Sequence, residues 1–354
     1  MKIIHTGDVH IGSAMQNLPR EKAAVRKTEI LEGFRRLCMY AQENGVAAVL
    51  IAGDLFDGNF VPKELKREVF AAMQSAQPVC FFYVSGNHDD GFTPDGQLPN
   101  NLYVFNQRRG FNSYDLPENV TITGIDLKNL TPDQYAYLSL RQERFNILLL
   151  HGEIGGEIAL ERLQNRGVDY LALGHIHQPT AVAAQLDGRG RFRYCGCLEG
   201  RGFDECGKRG FFLLELENGR LTGEKFLSLA KREICLRAVD ISACESYYEM
   251  ERGILEALAD VRADDCLKLL LCGQYKPQLR KDLSLLNTRL SEKFFFVKIV
   301  DESRLFIDYA QYQNDLTDRG EFIREVGRYE LSPEEREEIL EVGLKALAGQ
   351  EIDL

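Results

Sequence analysis

The chain has no apolar run approaching the ~20 residues that a bilayer span needs, no general basic excess, and no second cysteine pair to accompany Cys195-Gly-Cys197. Each absence excludes a class. The first excludes a helical membrane protein. The last excludes a zinc cage, and nine cysteines scattered from Cys38 to Cys272 read as reduced, buried thiols in a cytosolic chain, not as a disulfide framework. The start, Met1-Lys2-Ile3-Ile4-His5, enters a strand with no signal-peptide pattern, so a cytoplasmic protein is expected. A net charge of −11 speaks against tight standalone binding to nucleic acid. Most of that acidity belongs to the end of the chain, where five Lys/Arg face twelve Asp/Glu from Gln311 onward.

Histidine is scarce as well, with six in 354 residues. Five of the six stand in one recurring arrangement, an apolar run followed by a short turn bearing His, Asp or Asn. The turns are Gly7-Asp8-Val9-His10, Gly53-Asp54-Leu55-Phe56-Asp57, Gly86-Asn87-His88-Asp89, His151-Gly152 and Gly174-His175-Ile176-His177. The runs before them (Lys2 to Thr6, Ala47 to Ala52, Val79 to Ser85, Phe145 to Leu150, Val168 to Leu173) read as buried strands. In open α/β sheets the ligand site lies beyond the carboxyl ends of the strands, so these side chains are expected at one edge. The remaining histidine, His5, falls inside the first strand and reads as a packed structural residue.

Residues 1–230 alternate strand and helix patterns, the mark of an α/β domain. Ile30, Phe34, Leu37, Cys38 and Ala41 recur at helical spacing, as do Leu65, Val69 and Met73. Gly91 to Asn119 reads mostly as loop. Asn218-Gly219 between two apolar runs predicts a hairpin. Residues 231–310 repeat the pattern on a smaller scale, with strands at 234–241, 267–272 and 294–300 and helices at 247–261 and 277–291. Residues 311–354 form an acidic tail with one helix, 333–348, opened by the capping box Ser332-Pro333-Glu334-Glu335. Its apolar side (Ile339, Leu340, Leu344, Leu347) serves either its own domain or a partner.

The residue types point to a pair of divalent cations. Two ions about 3.5–4 Å apart can clamp the attacking and leaving oxygens of an in-line displacement at phosphorus. Asp8 and His10 suit one ion, Asn87, His151 and His175 the other, with Asp54 as the bridging carboxylate and His177 returning to the first. The mixed N/O set suits Mn²⁺ or Fe²⁺ better than an all-oxygen Mg²⁺ cage. His88, adjacent to Asn87, is left to face the phosphate as a general acid, oriented by Asp57.

At these motifs the chain resembles the calcineurin-like metallophosphoesterase superfamily. His5 to Gly12, Gly53 to Asp57 and Gly174 to Pro179 look like the SbcD-type DNA repair exonucleases within it. The protein phosphatases carry an Asp-Arg-Gly ending that Asp57-Gly58-Asn59 lacks. Gly200 to Glu205, followed by Gly210, is similar to that group's closing strand region. The resemblance implies a four-layer α/β/β/α sandwich with a small α/β cap domain, and a two-metal Mn²⁺-dependent nuclease acting on DNA ends. It also implies a homodimer and an SMC-like coiled-coil ATPase partner of SbcC type, bound through C-terminal helices. Only Arg108 and Arg109 are basic in the Gly91–Asn119 stretch, so DNA contact is not expected from that loop. The ligand set is shared with members acting on small phosphoesters, and a silent scaffold is the remaining alternative.

Overall fold

Strand-forming runs that are apolar at every position must be covered on both faces, and they dictate the layering of the first unit. The computed structural model describes all residues except 14–17, 59–60, 90–97, 106–109, 348 and 350–354. The chain divides into two units, Met1–Ile234 and Cys235–Leu354. Strands β1 (Lys2–Thr6), β2 (Val46–Ala52), β3 (Cys80–Val84) and β4 (Leu102–Val104) come first, with helices α1 (Arg20–Glu43) and α2 (Lys63–Ser75) between them. There follow β5 (Asn112–Leu116), β6 (Val120–Gly124), β7 (Phe145–His151), β8 (Tyr170–Gly174), β9 (Ala184–Gln185) and β10 (Arg191–Tyr194). The hairpin β11 (Phe211–Glu217) and β12 (Arg220–Leu227) closes the unit. Its Asn218 and Gly219 both have positive φ, as a tight two-residue turn between twisted strands requires.

One six-stranded sheet has the order β12-β11-β1-β2-β3-β4 and the other β5-β6-β7-β8-β10-β9. The strands β1, β2 and β3 run parallel, as do β6, β7, β8 and β10, so their carboxyl ends lie together within each sheet. Alternate side chains of one strand go to opposite faces. Ile3, Leu50 and Phe82 therefore meet Val120, Ile147 and Ala172 between the sheets, while Ile4, Val49 and Phe81 pack against Ile30, Phe34, Leu37, Val69 and Met73 of α1 and α2. On the far face of the second sheet, Leu148, Leu150, Leu171 and Leu173 pack against Ile125, Tyr135, Leu138, Ile158 and Leu163. The outer layer there is made of loops and 3₁₀ turns (Leu127–Asn129, Gln134–Tyr137, Leu160–Arg162). The α/β class is as expected, and the fourth layer is thinner than α-helices would make it.

In the second unit, β13 (Ile234–Asp240), β14 (Cys266–Cys272) and β16 (Phe296–Asp301) form a three-stranded sheet. Helices α3 (Tyr247–Ala257) and α4 (Leu283–Ser291) share a core with it, and β15 (Gln274–Tyr275) pairs with β17 (Arg304–Leu305). Helices α5 (Asp318–Gly327) and α6 (Pro333–Leu347) bury Ile323, Val326, Leu340 and Leu344 with Tyr312. Part of the α6 apolar side is thus used within its own unit, while Ile339 and Leu347 stay exposed. Ser332 caps α6 as the sequence predicts, its Oγ accepting from Glu335 N while Glu335 Oε2 accepts from Ser332 N.

Three expectations need correction. The Gly91–Asn119 stretch contains β4 and β5, a three-residue strand and a polar edge strand too short and too hydrophilic to show a period-2 signal. Arg108 and Arg109 lie outside the described residues. The helix read from Pro277 begins at Leu283, because Asp282 caps it through Leu285 N and Pro277 stays in the preceding loop. Finally α5, capped by Thr317, precedes the tail helix.

Candidate metal centre

Five loops at the carboxyl ends of β1, β2, β3, β7 and β8 bring the seven ligand-type side chains together, three loops from one sheet and two from the other. The first two loops prolong the parallel pairing of their strands, with Asp8 N donating to Gly53 O and His10 N to Asp54 O. The sheets approach so closely at this edge that a Cβ on Gly53 would collide with His151, one on Gly86 with Asp54 and one on Gly174 with Ala52 O. Asp8, His10, Asp54 and His175 all have positive φ, at 47°, 50°, 49° and 95°. Non-glycine residues rarely adopt that region, and such strain gathers at functional sites held by their surroundings.

The side chains form two groups. In the first, Asp8, His10 and His177 place ligand atoms within 4.8 Å of one another, with His10 Nε2 3.2 Å from His177 Nε2. In the second, Asn87 Oδ1 lies 2.9 Å from His151 Nε2 and 3.2 Å from His175 Nδ1. Asp54 Oδ2 stands between them, 3.6 Å from His10 Nε2 and 3.7 Å from His151 Nε2. Its other oxygen accepts from His88 N. Asp8 accepts His175 N on both oxygens, at 2.9 and 3.0 Å, which couples the groups through the backbone.

The donor chemistry fits cations. Asp8 and Asp54 are buried, and among the described residues neither carboxylate pairs with a Lys or Arg. Burial, and then the charge of Asp54, push the Asp8 carboxyl well above its ordinary range. A positive charge between the two relieves that cost. Burial holds the His10 and His151 imidazoles below their ordinary range, so each stays neutral and keeps one lone pair. His151 Nδ1 donates to Ala52 O at 2.9 Å, which leaves Nε2 as the lone-pair nitrogen on the side of Asn87 and Asp54. His10 Nε2 and His177 Nε2, 3.2 Å apart, are a pair of imidazole nitrogens that one cation could share.

Asp57 Oδ1 is 2.9 Å from His88 Nδ1 and 3.2 Å from His10 Nδ1. The hydrogen bond from His10 pulls the Asp57 carboxyl down to about 2, so it remains an anion under both rings. The His88 side chain is 46% exposed, unlike the buried His10. His5 lies away from this group, its Nδ1 3.0 Å from Tyr170 Oη and its Nε2 3.2 Å from Leu173 O.

Three acidic residues to which the sequence assigned no role shape the site. Asp89 accepts from Leu55 N, Gly86 N and Tyr83 Oη, tying the Asp54 loop to the Asn87-His88 loop. Asp126 accepts Ser85 N at 2.6 Å from the end of β6. Glu205 Oε1 lies 2.7 Å from His177 Nδ1 and accepts from Arg201. Burial raises its carboxyl, but these two partners outweigh it and hold the group well below the usual carboxylate range. Asp89 and Glu205 both fall inside glycine-bearing motifs. Their signal is a carboxylate in a glycine-rich turn, which alone does not distinguish a ligand from a brace.

Residues 1–179 match the sequence profile of the calcineurin-like phosphoesterase family. The chain is 24% identical over 299 residues to the uncharacterized metallophosphoesterase YhaO of Bacillus subtilis, covering 77% of this chain and 72% of that protein. It is 27% identical over 293 residues to the DNA double-strand break repair protein Mre11 of Methanopyrus kandleri, covering 72% of this chain and 62% of that one. It is 24% identical to a subunit of the nuclease SbcCD of Staphylococcus epidermidis, covering 65% of this chain and 70% of that one. Among solved structures, a dimetal phosphatase from Danio rerio superposes with a TM-score of 0.46 at 11% identity, over 64% of this chain and 97% of that one.

Proposed function

Since the chain belongs to the calcineurin-like phosphoesterase family, we propose that it is a two-metal phosphodiesterase whose substrate is DNA, cut from its ends as an exonuclease. The phosphoesterase part rests on one observation, two groups of ligand atoms sharing Asp54, with the half-exposed His88 beside them. The choice of DNA is supported by the likeness to proteins named for double-strand break repair and for a nuclease. One of these is a subunit by name, so the proposal includes a partner, an SMC-like coiled-coil ATPase of SbcC type, and a homodimeric assembly.

Asp8, His10 and His177 would hold one divalent ion and Asn87, His151 and His175 the other, with Asp54 between them. Mn²⁺ or Fe²⁺ suits this mixture of imidazole, amide and carboxylate donors. When bound, the pair supplies Lewis acidity at the phosphate and neutralises charge developing there. The remaining work falls to the chain itself. Asp8 and Asp54 provide the negative charge that keeps cations in a buried setting. Asp57, anionic and anchored, orients the His88 ring by holding its Nδ1 at 2.9 Å. His88 then gives its Nε2 proton to the 3′ oxygen as the P–O bond breaks. Without that proton the leaving group is an alkoxide, a poor one.

The test supplies the protein, with Mn²⁺, Fe²⁺ or Mg²⁺, with end-labelled duplex DNA, single-stranded DNA and bis(p-nitrophenyl) phosphate in parallel. Stepwise loss of nucleotides from a labelled end is the expected result. Cleavage of the small ester alone, also with the ATPase partner present, would reject DNA as the substrate while leaving the phosphoesterase assignment standing.

A further inference from the structure

Next to the first group of ligand atoms lies a second layer of charge that phosphoester chemistry does not by itself require. Glu205 is 4% exposed, and groups of His177, Arg201 and Cys197 converge on its carboxylate. Oε1 lies 2.7 Å from His177 Nδ1 and accepts from Arg201 Nη2 at 2.8 Å and Nε at 3.2 Å. Oε2 accepts from Arg201 N at 2.7 Å and from Cys197 Sγ at 3.6 Å. A second guanidinium, that of the buried Arg209, holds the backbone of the same residues. It donates to His177 O at 2.7 Å, Gln178 Oε1 at 2.9 Å, Glu205 O at 3.1 Å and Cys206 O at 2.7 Å. His177 is thus gripped at its ring and at its carbonyl by one turn.

A neutral imidazole carries one N–H and one lone pair, so what happens at Nδ1 decides what Nε2 can do. Two neighbours compete at Nδ1. If Arg201 Nη2, 3.0 Å away, donates to it, the ring proton moves to Nε2 and closes that nitrogen to a cation. If Nδ1–H donates to Glu205, the lone pair is at Nε2, which lies 3.2 Å from His10 Nε2. The shorter contact is the one to Glu205, and Arg201 can place its own hydrogen on the same carboxylate. We propose that Glu205 is a positioning residue for metal binding: it fixes His177 as the Nδ1–H tautomer with Nε2 turned to Asp8 and His10, while Arg201 and Arg209 fix Glu205 and the turn. This rests on the two-cation reading of the site. Carboxylates behind metal-bound imidazoles are worth 10–100-fold in affinity when removed.

The opposing explanation is a plain buried ion pair that only holds the turn together. That turn has other anchors, since Arg26 donates to Gly200 O at 2.6 Å and Arg36 to Glu199 at 2.8 Å, so the isosteric Glu205→Gln should fold. The full chain, stripped with chelator, is titrated with Mn²⁺ by calorimetry and electron paramagnetic resonance, with no substrate present. In Glu205→Gln one of the two sites should weaken at least 10-fold and the other stay within twofold, with a deeper loss at the same site in Glu205→Ala. Equal affinities with a lowered Tm, or an equal loss at both sites, would mean a structural ion pair and overturn the proposal. Long-range ¹H–¹⁵N spectra of the metal-free wild type, with His177→Asn to assign the ring, give a check that needs no Glu205 variant. A proton on Nδ1 is expected, and an Nδ1 without one overturns the idea. A wild type that takes up fewer than two Mn²⁺ would fail at an earlier point, sinking the two-cation reading and this proposal with it.

Discussion

His88 Nδ1 sits 2.9 Å from Asp57 Oδ1, so the exposed imidazole is tethered at one nitrogen, while its other nitrogen meets no hydrogen-bond partner among the described residues. A tethered proton donor matters in proportion to how poor the leaving group is. His88→Ala should therefore reduce cleavage of DNA, whose leaving group is an alkoxide, by about 10²–10⁴-fold. Loss on bis(p-nitrophenyl) phosphate should be much smaller, because nitrophenolate leaves without a proton. Parallel kcat measurements on both esters check this. Equal losses would point to damage at the metals and not to a missing acid.

Asp57 also accepts from His10 Nδ1 with the same oxygen. Asp57→Asn should therefore do what His88→Ala does not, weakening Mn²⁺ at the Asp8/His10/His177 group as well as slowing turnover. The variants at the ligands themselves should separate by group. Asn87→Ala and His177→Ala should each lose one ion, and Asp54→Ala both, counted by metal analysis after gel filtration. Saturating Mn²⁺ should raise the Tm of the wild type through mass action, about 2.7 kcal/mol per site at a free ion concentration of 100 Kd. In Asp54→Ala that rise should vanish. Two ions retained there would contradict the bridging role.

The clustering of these side chains was legible in the sequence because each candidate ligand lies at or a few residues past the end of an apolar strand, and sheet topology converts that interval into position. Asp8, Asp54, Asn87 and His175 can be read that way from spacing alone. Glu205 cannot, because it lies 28 residues beyond His177 and acquires its role only where the two meet. Asp89 is adjacent to His88 in sequence, yet it turns inward to Leu55 N and Gly86 N, a direction no spacing rule supplies. In the fold, long two-sided strands were plain. The three-residue β4 and the polar edge strand β5 were not, since pairing with a neighbour, and not their own composition, makes them strands. The outer layer of 3₁₀ turns carries no helical period to detect.

Close approach of the two sheets makes a prediction about glycine. Gly53 has φ +85°, and a Cβ there would run into the His151 ring. Gly45 has φ +63° with nothing within 4 Å of the same built atom. Both Ala variants incur the left-handed penalty, about 1–2 kcal/mol. Only Gly53→Ala should also displace His151 and abolish uptake of one metal. Thermal melts and Mn²⁺ titration of the pair separate strain from steric displacement. Normal metal uptake in Gly53→Ala would show that the ring has room to yield.

The buried His5 sets an acid limit on the fold that is independent of the metals. Burial, opposed by the hydrogen bond to Leu173 O, lowers it from 6.5 to about 3. Between those values the unfolded chain binds a proton that the folded chain refuses, so unfolding gains as the pH falls through 6.5 and keeps gaining until about 3. Above 6.5 His5 contributes no pH dependence. At one pH unit per 1.36 kcal/mol, the loss reaches about 2 kcal/mol at pH 5. His5→Phe removes the titration and both hydrogen bonds of the ring, to Tyr170 Oη and to Leu173 O, so it should be less stable at pH 7.5 by about 1–3 kcal/mol. The gap between wild type and variant should then close by about 2 kcal/mol on going to pH 5. Urea unfolding of both proteins in chelator at the two pH values measures it directly. A gap that stays constant means His5 takes up its proton in the folded state, which would require the Tyr170 and Leu173 contacts to rearrange.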